Sequence, residues 1–300
     1  MLIVNIIGGL GNQMFCYAFA VALKDYYKTE VSLHIGGFED VRDNRGFELS
    51  NIFKIDEPII EDYKTIQHLT NHSMSFWSRL KRKIFGSRKT HVSERMHHFD
   101  SEILNLKIEK DIFLEGLWQD EAYFKSIEKV IRQKFRFVPE LDEKNSTIAG
   151  DMQQTNSVSL HVRRGDYISN PQYLGILGNI CSPHYYQQAL KALEETEKDL
   201  SIFVFSDDIQ WVKENFAFLK DRNVTYIDHN KGLDSYKDMQ LMSNCKHNII
   251  ANSTFSWWGA WLNENPGKKV FAPEIWFNDP HLKNNNIVPD DWIKIKNIPE

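Results

Sequence analysis

Two adjacent arginines offer the clearest capacity for chemistry in this sequence. Arg163 and Arg164 directly follow an apolar run at 157–162, and Gly165 comes next. An unpaired guanidinium at the end of a buried strand would be costly to desolvate, so the pair needs anionic partners. The planar fork of arginine fits phosphate oxygens bidentately, which indicates a diphosphate ligand. Structural salt bridges to nearby carboxylates are the alternative interpretation.

Polar side chains also follow two further predicted strands. Asp207 and Asp208 come directly after a strand at 201–206, and a polar segment that opens a helix follows a strand at 247–251. Ligands of open parallel sheets bind outside the carboxyl ends of the strands, so these groups and the arginines should share one edge. The two aspartates suit ribose or base edges, a metal, or the cap of the next helix. The polar segment suits an anion cradle or a simple helix cap, and it contains Asn252, Ser253, Thr254 and Ser256.

Three further titratable residues each have two interpretations. His161 precedes the arginines on the predicted strand and is either a ligand contact or a core histidine with internal partners. Asp238 lies within a predicted helix at 234–244, where its spacing also fits a solvated position. Asp166 comes two residues after Arg164 and is either a general base or a carboxylate that orients the arginines.

A glycine-rich turn follows the first predicted strand and includes Gly8, Gly9 and Gly11. It lacks both the GxGxxG spacing of dinucleotide-binding turns and the Gly-Lys-Ser/Thr of a P-loop. The turn brings the backbone of Gly11 and the amides of Asn12 and Gln13 to a strand end. Such amides can bind sugar hydroxyls, and a tight packing turn between strand and helix is the alternative.

The elements that must position these groups alternate between strands and helices. Such alternation predicts right-handed crossovers and a parallel sheet covered on both faces, as in a Rossmann-like domain. The pattern is most regular in the second half. Strands are predicted there at 157–162, 201–206, 223–227, 247–251 and 269–272, and helices at 183–196, 209–216, 234–244 and 254–264.

The first half predicts a second, less regular α/β domain. Its polar boundary with the second half is expected at 139–156, giving domains 1–153 and 154–300. Strands are predicted at 2–7, 31–35 and 112–118, and helices at 13–28, 61–69, 75–85 and 122–135.

Composition limits the class of protein. The chain has 300 residues, of which 42% are hydrophobic and 26% charged, as in ordinary globular proteins. A net charge of −5 disfavours nucleic-acid binding, which usually needs a basic surface. No stretch approaches the roughly 18 apolar residues of a membrane span, and the start does not match a signal peptide. A cytoplasmic location is therefore expected.

A basic segment at 75–89 qualifies that expectation. It interleaves lysines and arginines with large apolar residues at helical spacing. This pattern is typical of a helix that packs its apolar face into the core. It is also compatible with peripheral contact with an anionic membrane surface.

Five motifs together resemble those of glycosyltransferase family 11, the α-1,2-fucosyltransferases. They occur in family order and extend over nearly the whole chain. The motifs read GGLGNQMF at 8–15, HVRRGDY at 161–167, FVFSDD at 203–208, DMQLMSNC at 238–245 and IIANSTFSWW at 249–258. The length and the lack of an anchor are similar to those of bacterial members, which build surface polysaccharide.

The resemblance implies a fold and a reaction. The implied fold is GT-B, with two Rossmann-like domains that face a cleft, the C-terminal one being the more regular. The implied reaction is inverting transfer of L-fucose from GDP-β-L-fucose to the 2-hydroxyl of a terminal β-galactoside. The donor would bind to the second domain and the acceptor near the first, with no required metal and no cofactor.

The resemblance also implies roles for the residues named above. Arg164, helped by Arg163 and the helix start at 253–256, would stabilise the departing diphosphate. The resemblance further implies that His161 and Asp238 contact ribose and guanine, with support from Asp207 and Asp208. It also implies acceptor or fucose contacts for Asn12 and Gln13. Asp166 is the candidate base. In the related α-1,6 enzymes an acid lies seven residues after the second arginine, but Pro171 occupies that position here.

Two other functions compete with this one. The same fold could use another nucleotide sugar, or it could bind a glycan or nucleotide without catalysis. No motif identifies the acceptor or the oligomeric state. Acceptor contacts are expected at 36–110 and 168–181, which match no motif.

Overall fold

The computed structural model describes residues 1–38, 46–70, 88–95, 98–282 and 286–297. The chain divides into two compact units between Val138 and Pro139, apart from a short segment around Ile287 that is grouped with the first unit. Each unit is built on one parallel β-sheet with helices. No described helix has both the length and the apolar character that a membrane span requires.

The first unit contains a five-stranded parallel sheet in the order β3-β2-β1-β5-β4. The chain order reverses between β1 and β5, and the loops that follow these two strands flank that point. The strands are β1 (Leu2–Asn5), β2 (Val31–His34), β3 (Ile59–Ile60), β4 (His91–Ser93) and β5 (Ile112–Glu115). The helices are α1 (Leu10–Tyr27), α2 (Leu49–Ile52), α3 (Tyr63–Ile66) and α4 (Glu128–Lys134).

Helix α1 is the central helix of the first unit, and most of its side chains are buried. The turn before it depends on Gly8, whose φ of +75° lies in the left-handed region that favours glycine. A Cβ there would lie 2.7 Å from Nδ2 of Asn12. Helix α1 begins at Leu10, three residues before the predicted start, because Gly9 is already extended at the N-cap.

The second unit contains a six-stranded parallel sheet in the order β11-β10-β9-β6-β7-β8. The strands are β6 (Asn156–Val162), β7 (Leu200–Ser206), β8 (Asn223–Ile227), β9 (His247–Ile249), β10 (Val270–Pro273) and β11 (Ile293–Ile295). The helices are α5 (Glu143–Gln154), α6 (Gly165–Ser169), α7 (Pro171–Leu177), α8 (Pro183–Glu194), α9 (Ile209–Asn215), α10 (Tyr236–Asn244) and α11 (Thr254–Leu262).

The chain of the second unit leaves β6 towards β7 and β8 and then returns to β9 on the other side of β6. The gap between β6 and β9 is thus a topological switch point, where open α/β sheets bind their ligands. The arginine pair follows β6, and the segment 252–256 lies beyond the end of β9. This doubly wound order confirms the parallel α/β fold that the sequence predicts.

The core of the second unit explains why these strands are almost continuously apolar. One buried cluster joins residues of β6 and β7 to helices α8 and α9. Helix α8 begins as predicted, because the Ser182 hydroxyl accepts the Tyr185 N–H and Pro183 occupies the first helical turn. Another group of large buried side chains lies on α11 and includes Trp257, Trp258 and Trp261.

The polar stretch that was expected to separate the domains is largely helix α5. This helix lies beside β6 and α10, and Met152 accepts a 2.7 Å hydrogen bond from the Ser157 hydroxyl. The division between the units therefore falls before this helix. The domain boundary predicted at 153/154 lies inside the second unit.

Several local predictions differ from the structure. The predicted helix at 122–135 is two 3₁₀ turns followed by α4, since the backbone of Phe124 leaves the helical region with φ −129°. The loop predicted at 168–181 contains α7, which Asn170 caps ahead of Pro171. Strands β3, β4 and β11 were not predicted, and each has only two or three residues. The basic segment 75–89 lies outside the described residues except for its last two positions.

Candidate functional site

The arginine pair lies at the carboxyl end of β6, and carboxylates from α6 and from the loop after β7 contact it. Arg163 donates from Nη2 to Oδ1 of Asp166 at 2.6 Å, and its Nη1 lies 2.9 Å from Oδ2 of Asp207. Burial alone would lower the pKa of Arg163, but the charges of Asp207 and Asp166 outweigh it and raise that pKa. Arg163 is thus a permanently charged group with both terminal nitrogens in ion pairs.

Asp207 fixes both arginines at once. Its Oδ2 pairs with the Arg163 side chain, and its Oδ1 accepts the backbone N–H of Arg164 at 2.9 Å. This carboxylate occupies space that only a glycine at 165 leaves open, since a Cβ on Gly165 would lie 2.5 Å from its Oδ2. Asp207 is therefore a positioning group for the arginines in this structure, and both of its oxygens are engaged.

Arg164 is held differently from its neighbour. Its Nε lies 3.4 Å from Oδ2 of Asp208, and its guanidinium carbon lies 3.7 Å from the centroid of the Trp211 ring. Among the described residues, Nη1 and Nη2 of Arg164 form no hydrogen bond or ion pair. These terminal groups are the ones that can bind an added anion.

Asp208 also caps the helix that carries Trp211. Its Oδ1 accepts the backbone N–H of Trp211 at 3.1 Å, and the Ser206 hydroxyl accepts the Asp208 N–H at 3.0 Å. Helix capping, which was one of the alternatives for this acid, is therefore realised together with the ion pair to Arg164.

Asp166 lies in the first turn of α6, and its carboxyl is 43% exposed. Its short contact with Arg163 is the geometry expected of an orienting carboxylate. Its assignment as the base stays a prediction.

His161 is a buried histidine whose internal hydrogen bonds are incomplete. Its side chain is on β6, and Nδ1 has no hydrogen-bond partner among the described residues. Burial, together with the charge of Arg163, lowers its pKa to about 3, so the ring is neutral at pH 7. A buried ring nitrogen without a partner is uncommon and costly in a native structure.

The segment beyond β9 is partly structural. Asn252 donates to the carbonyls of Leu177 and Trp276 at 3.0 and 3.2 Å, so both amide hydrogens are used within the fold. The Ser256 hydroxyl donates to the Ser253 carbonyl at 3.2 Å. Ser253 precedes α11 at the N-cap but makes no side-chain cap bond, and Thr254 is the first helical residue. Of the four predicted contacts in this segment, the structure therefore gives Asn252 and Ser256 hydrogen bonds within the fold.

Asp238 belongs to a polar network beside β8. Its Oδ1 accepts a 2.8 Å hydrogen bond from Asn230, which lies in the loop after β8. Asn230 also contacts the buried amide of Asn145, and Asn145 in turn bonds to Asp142. Burial raises the pKa of Asp238 to about 7, although the bond from Asn230 lowers it. Asp238 is therefore only partly solvated, with one carboxyl oxygen engaged within the fold.

The glycine turn of the first unit differs from expectation at Gln13. This side chain is fully buried, donates to the carbonyls of Gly8 and Gly46 and accepts the Glu48 N–H, each at 2.9 Å. Its two amide hydrogens are therefore unavailable to a sugar. The prediction of a substrate contact is corrected to a structural role, because Gln13 joins α1 to the chain at 46–48.

Its neighbours in the turn are placed differently. Gly11 is buried, whereas Asn12 is partly exposed and accepts a 2.9 Å hydrogen bond from Gln119, beyond the end of β5. Asn12 thus lies at the switch point between β1 and β5, where a substrate contact stays a prediction.

Sequence reasoning missed three residues that shape the site. Trp211 stacks on Arg164, Tyr167 places its ring 5.5 Å from the Arg163 guanidinium, and Gln119 holds Asn12. Trp211 and Gln119 lie outside the five motifs, whereas Tyr167 is the last residue of the motif at 161–167 but was given no role of its own. The position of Trp211 on the first turn after the capping acid is the one available signal, because that turn lies at the same sheet edge.

Comparison with known proteins identifies relatives over the full length of the chain. The family model described as glycosyl transferase family 11 matches residues 1–296. An alpha-1,2-colitosyltransferase of Escherichia coli is 34% identical over 299 residues, which cover 99% of each protein. The O-antigen biosynthesis glycosyltransferase WbnK of Escherichia coli is 32% identical over 308 residues, which cover 96% of this chain and 98% of WbnK.

A solved structure shows the same fold at low sequence identity. The crystal structure of NodZ alpha-1,6-fucosyltransferase soaked with GDP-fucose superposes with a TM-score of 0.54 and 15% identity. The match covers 90% of this chain and 94% of NodZ. The expected GT-B class of α/β fold is thereby confirmed.

The raised pKa of Asp238 predicts a pH-dependent stability difference. The folded state binds this proton more tightly than the unfolded state, whose pKa is near 3.8. Asp238 therefore reduces the stability of the wild type as pH rises from about 4 to about 7, by at most about 1.4 kcal/mol per pH unit. Asp238→Asn lacks this loss, so urea unfolding should show its stability rising relative to wild type through that window.

A neighbouring aspartate provides the control for that measurement. Asp228 is exposed in the loop after β8, so Asp228→Asn controls for the loss of one carboxylate from this region. A pH profile of Asp238→Asn that matches this control would contradict the burial of the Asp238 carboxyl.

Proposed function

Because the chain belongs to glycosyltransferase family 11, we propose that it transfers L-fucose from GDP-β-L-fucose to the 2-hydroxyl of a terminal β-galactoside. The observation that carries the proposal is Arg164, whose terminal nitrogens are left available at a topological switch point. We further propose that the transfer inverts the anomeric carbon and needs neither a metal ion nor a cofactor. The five sequence motifs support this choice of donor and linkage.

In this proposal the second unit binds GDP. Arg164 binds the diphosphate through Nη1 and Nη2, and Arg163 adds positive charge beside it. His161 contacts the nucleoside through its neutral ring, which can donate or accept. Asp238 accepts from the guanine base, whose ring N–H and amino groups suit a carboxylate. Asp207 serves the donor indirectly, through the arginines.

The proposed reaction is a single displacement. The acceptor hydroxyl oxygen forms a bond to the anomeric carbon, while the bond from that carbon to the β-phosphate oxygen breaks. The electron pair of the broken bond leaves with GDP, and the hydroxyl proton passes to a base. Arg164, with Arg163 and the start of α11, stabilises the charge that develops on the leaving group.

We propose Asp166 as that base, since it lies on the turn directly after the arginines. The 2.6 Å contact with Arg163 favours a second role, in which this carboxylate orients the arginine and water or another group takes the proton. The two roles affect donor binding differently, so they can be separated by experiment.

A second donor is favoured by a specific observation. The relative at 34% identity is named an alpha-1,2-colitosyltransferase, and colitose is L-fucose without its 3-hydroxyl. GDP-colitose is therefore the competing donor, and the diphosphate and guanine contacts proposed here would serve both.

We place the reaction in the cytoplasm, where nucleotide sugars are made, and propose a surface polysaccharide precursor as the natural acceptor.

The first prediction from this proposed function concerns the product. With GDP-fucose and lactose, N-acetyllactosamine or galactose-β-1,3-hexosamines, the protein should release GDP and form an α-1,2-linked fucoside, identified by NMR of the product. Activity should persist in excess EDTA. Preference for GDP-colitose would identify that sugar nucleotide as the donor. Absence of transfer from any GDP-sugar would overturn the proposal. A strict manganese requirement would contradict the metal-independent reaction and would make Asp207 and Asp208 the candidate ligands.

The second prediction concerns the diphosphate. Arg164→Ala removes the unused donors, so kcat should fall about 100-fold or more and GDP affinity should weaken in calorimetry. Arg222→Ala is the matched control, because Arg222 is ion-paired to Glu194 at the opposite, amino-terminal end of β8. Unchanged kinetics in Arg164→Ala would exclude the phosphate role.

The third prediction separates the two roles of Asp166. If it is the base, Asp166→Asn should lower kcat by about 100-fold while GDP affinity stays within about threefold of wild type. If it orients Arg163, GDP affinity should fall together with kcat. Asp151→Asn, a change at an exposed position on α5, controls for the loss of one surface charge.

A further inference from the structure

Trp211 presents the face of its ring to the Arg164 guanidinium. The guanidinium carbon lies 3.7 Å from the ring centroid, which is within the range of a cation–π contact. Since the Trp211 side chain is partly buried against the core, the contact is more than an incidental surface approach.

One contact to the backbone and one to the ring hold Trp211 in place. Asp208 accepts the backbone N–H of Trp211 at 3.1 Å and thereby fixes it in the first turn of α9. Phe216 packs edge-on against the ring, with centroids 5.7 Å apart and planes at 72°. Asp208 also contacts Nε of Arg164 at 3.4 Å through its other oxygen. One short segment therefore fixes the ring and the arginine together.

The face contact has a chemical consequence that an ion pair lacks. Guanidinium donors lie in the plane of the group, so a ring stacked on the face uses none of them. Arg163, by contrast, uses both terminal nitrogens in ion pairs. Trp211 can therefore fix the plane of Arg164 while Nη1 and Nη2 stay available.

We propose that Trp211 is a positioning residue that preorganises Arg164 for bidentate binding of the donor diphosphate. This inference rests on the proposed function. A preorganised guanidinium loses less side-chain entropy when the diphosphate binds, and its donors are already aimed as charge develops on the leaving group. Trp211 thus acts through Arg164 and touches no reacting atom.

The test compares two substitutions at this position. Trp211→Leu removes the aromatic face, so GDP affinity by calorimetry should weaken about tenfold and kcat with the sugar nucleotide should fall by at least as much. Trp211→Phe keeps a face and should retain GDP affinity within about threefold. The matched control is Tyr226→Leu, which removes a ring on β8 that lies 5.0 Å from Nζ of Lys213. Lys213 is on α9, the helix that also carries Trp211. It should lower the thermal midpoint without weakening GDP binding.

A double-mutant cycle distinguishes positioning from a general effect on folding. If Trp211 acts through Arg164, Trp211→Leu should change GDP affinity little in the Arg164→Ala background. Equal losses in both backgrounds would overturn the inference, as would unchanged affinity in the single variant. Should Trp211→Leu not fold, Trp211→Met takes its place in the cycle. Failure of the wild type to bind GDP would instead overturn the proposed function and this inference with it.

Discussion

The candidate site depends on one carboxylate that holds two arginines. Asp207 pairs with the Arg163 side chain and accepts the backbone N–H of Arg164, so it fixes the end of β6 and the direction of both side chains. The contact requires β6 and β7 to be neighbours and requires a glycine at position 165. From this fixed backbone Arg164 reaches Asp208 and Trp211.

Both units place their polar residues where chain order reverses in a parallel sheet. In the first unit the switch point lies between β1 and β5 and is marked by the bond from Gln119 to Asn12. In the second unit it lies between β6 and β9, where the arginine pair and the start of α11 follow the strands. Loops on opposite sides of a switch point run in different directions, which leaves a crevice for a ligand without disturbing the strands.

The sequence predicts which strand ends are followed by polar residues better than it predicts the partners of individual side chains. Strands of the second half were recognised because buried parallel strands are continuous apolar runs, and the start of α8 was recognised because Ser182 and Pro183 are a local signal. Gln13 was misassigned, since its partners at 46 and 48 are distant in sequence and only the fold brings them together. The contact between Trp211 and Arg164 was not predicted for the same reason, since it depends on β6 and β7 being adjacent. The boundary was displaced because polar composition does not reveal which sheet a helix such as α5 packs against.

The charges of the site show why geometry matters more there than net charge. Arg163 and Arg164 face three carboxylates, those of Asp166, Asp207 and Asp208, so the cluster has no positive excess to attract a diphosphate over long distances. Attraction must come from short, directed hydrogen bonds, which depend on how many donors are left unused and how firmly they are aimed. Carboxylates hold arginines firmly but consume donors, whereas an aromatic face holds the guanidinium plane and consumes none. A site that combines Asp207 for the backbone, Asp208 for Nε and Trp211 for the face therefore keeps Arg164 rigid and still able to bind an anion.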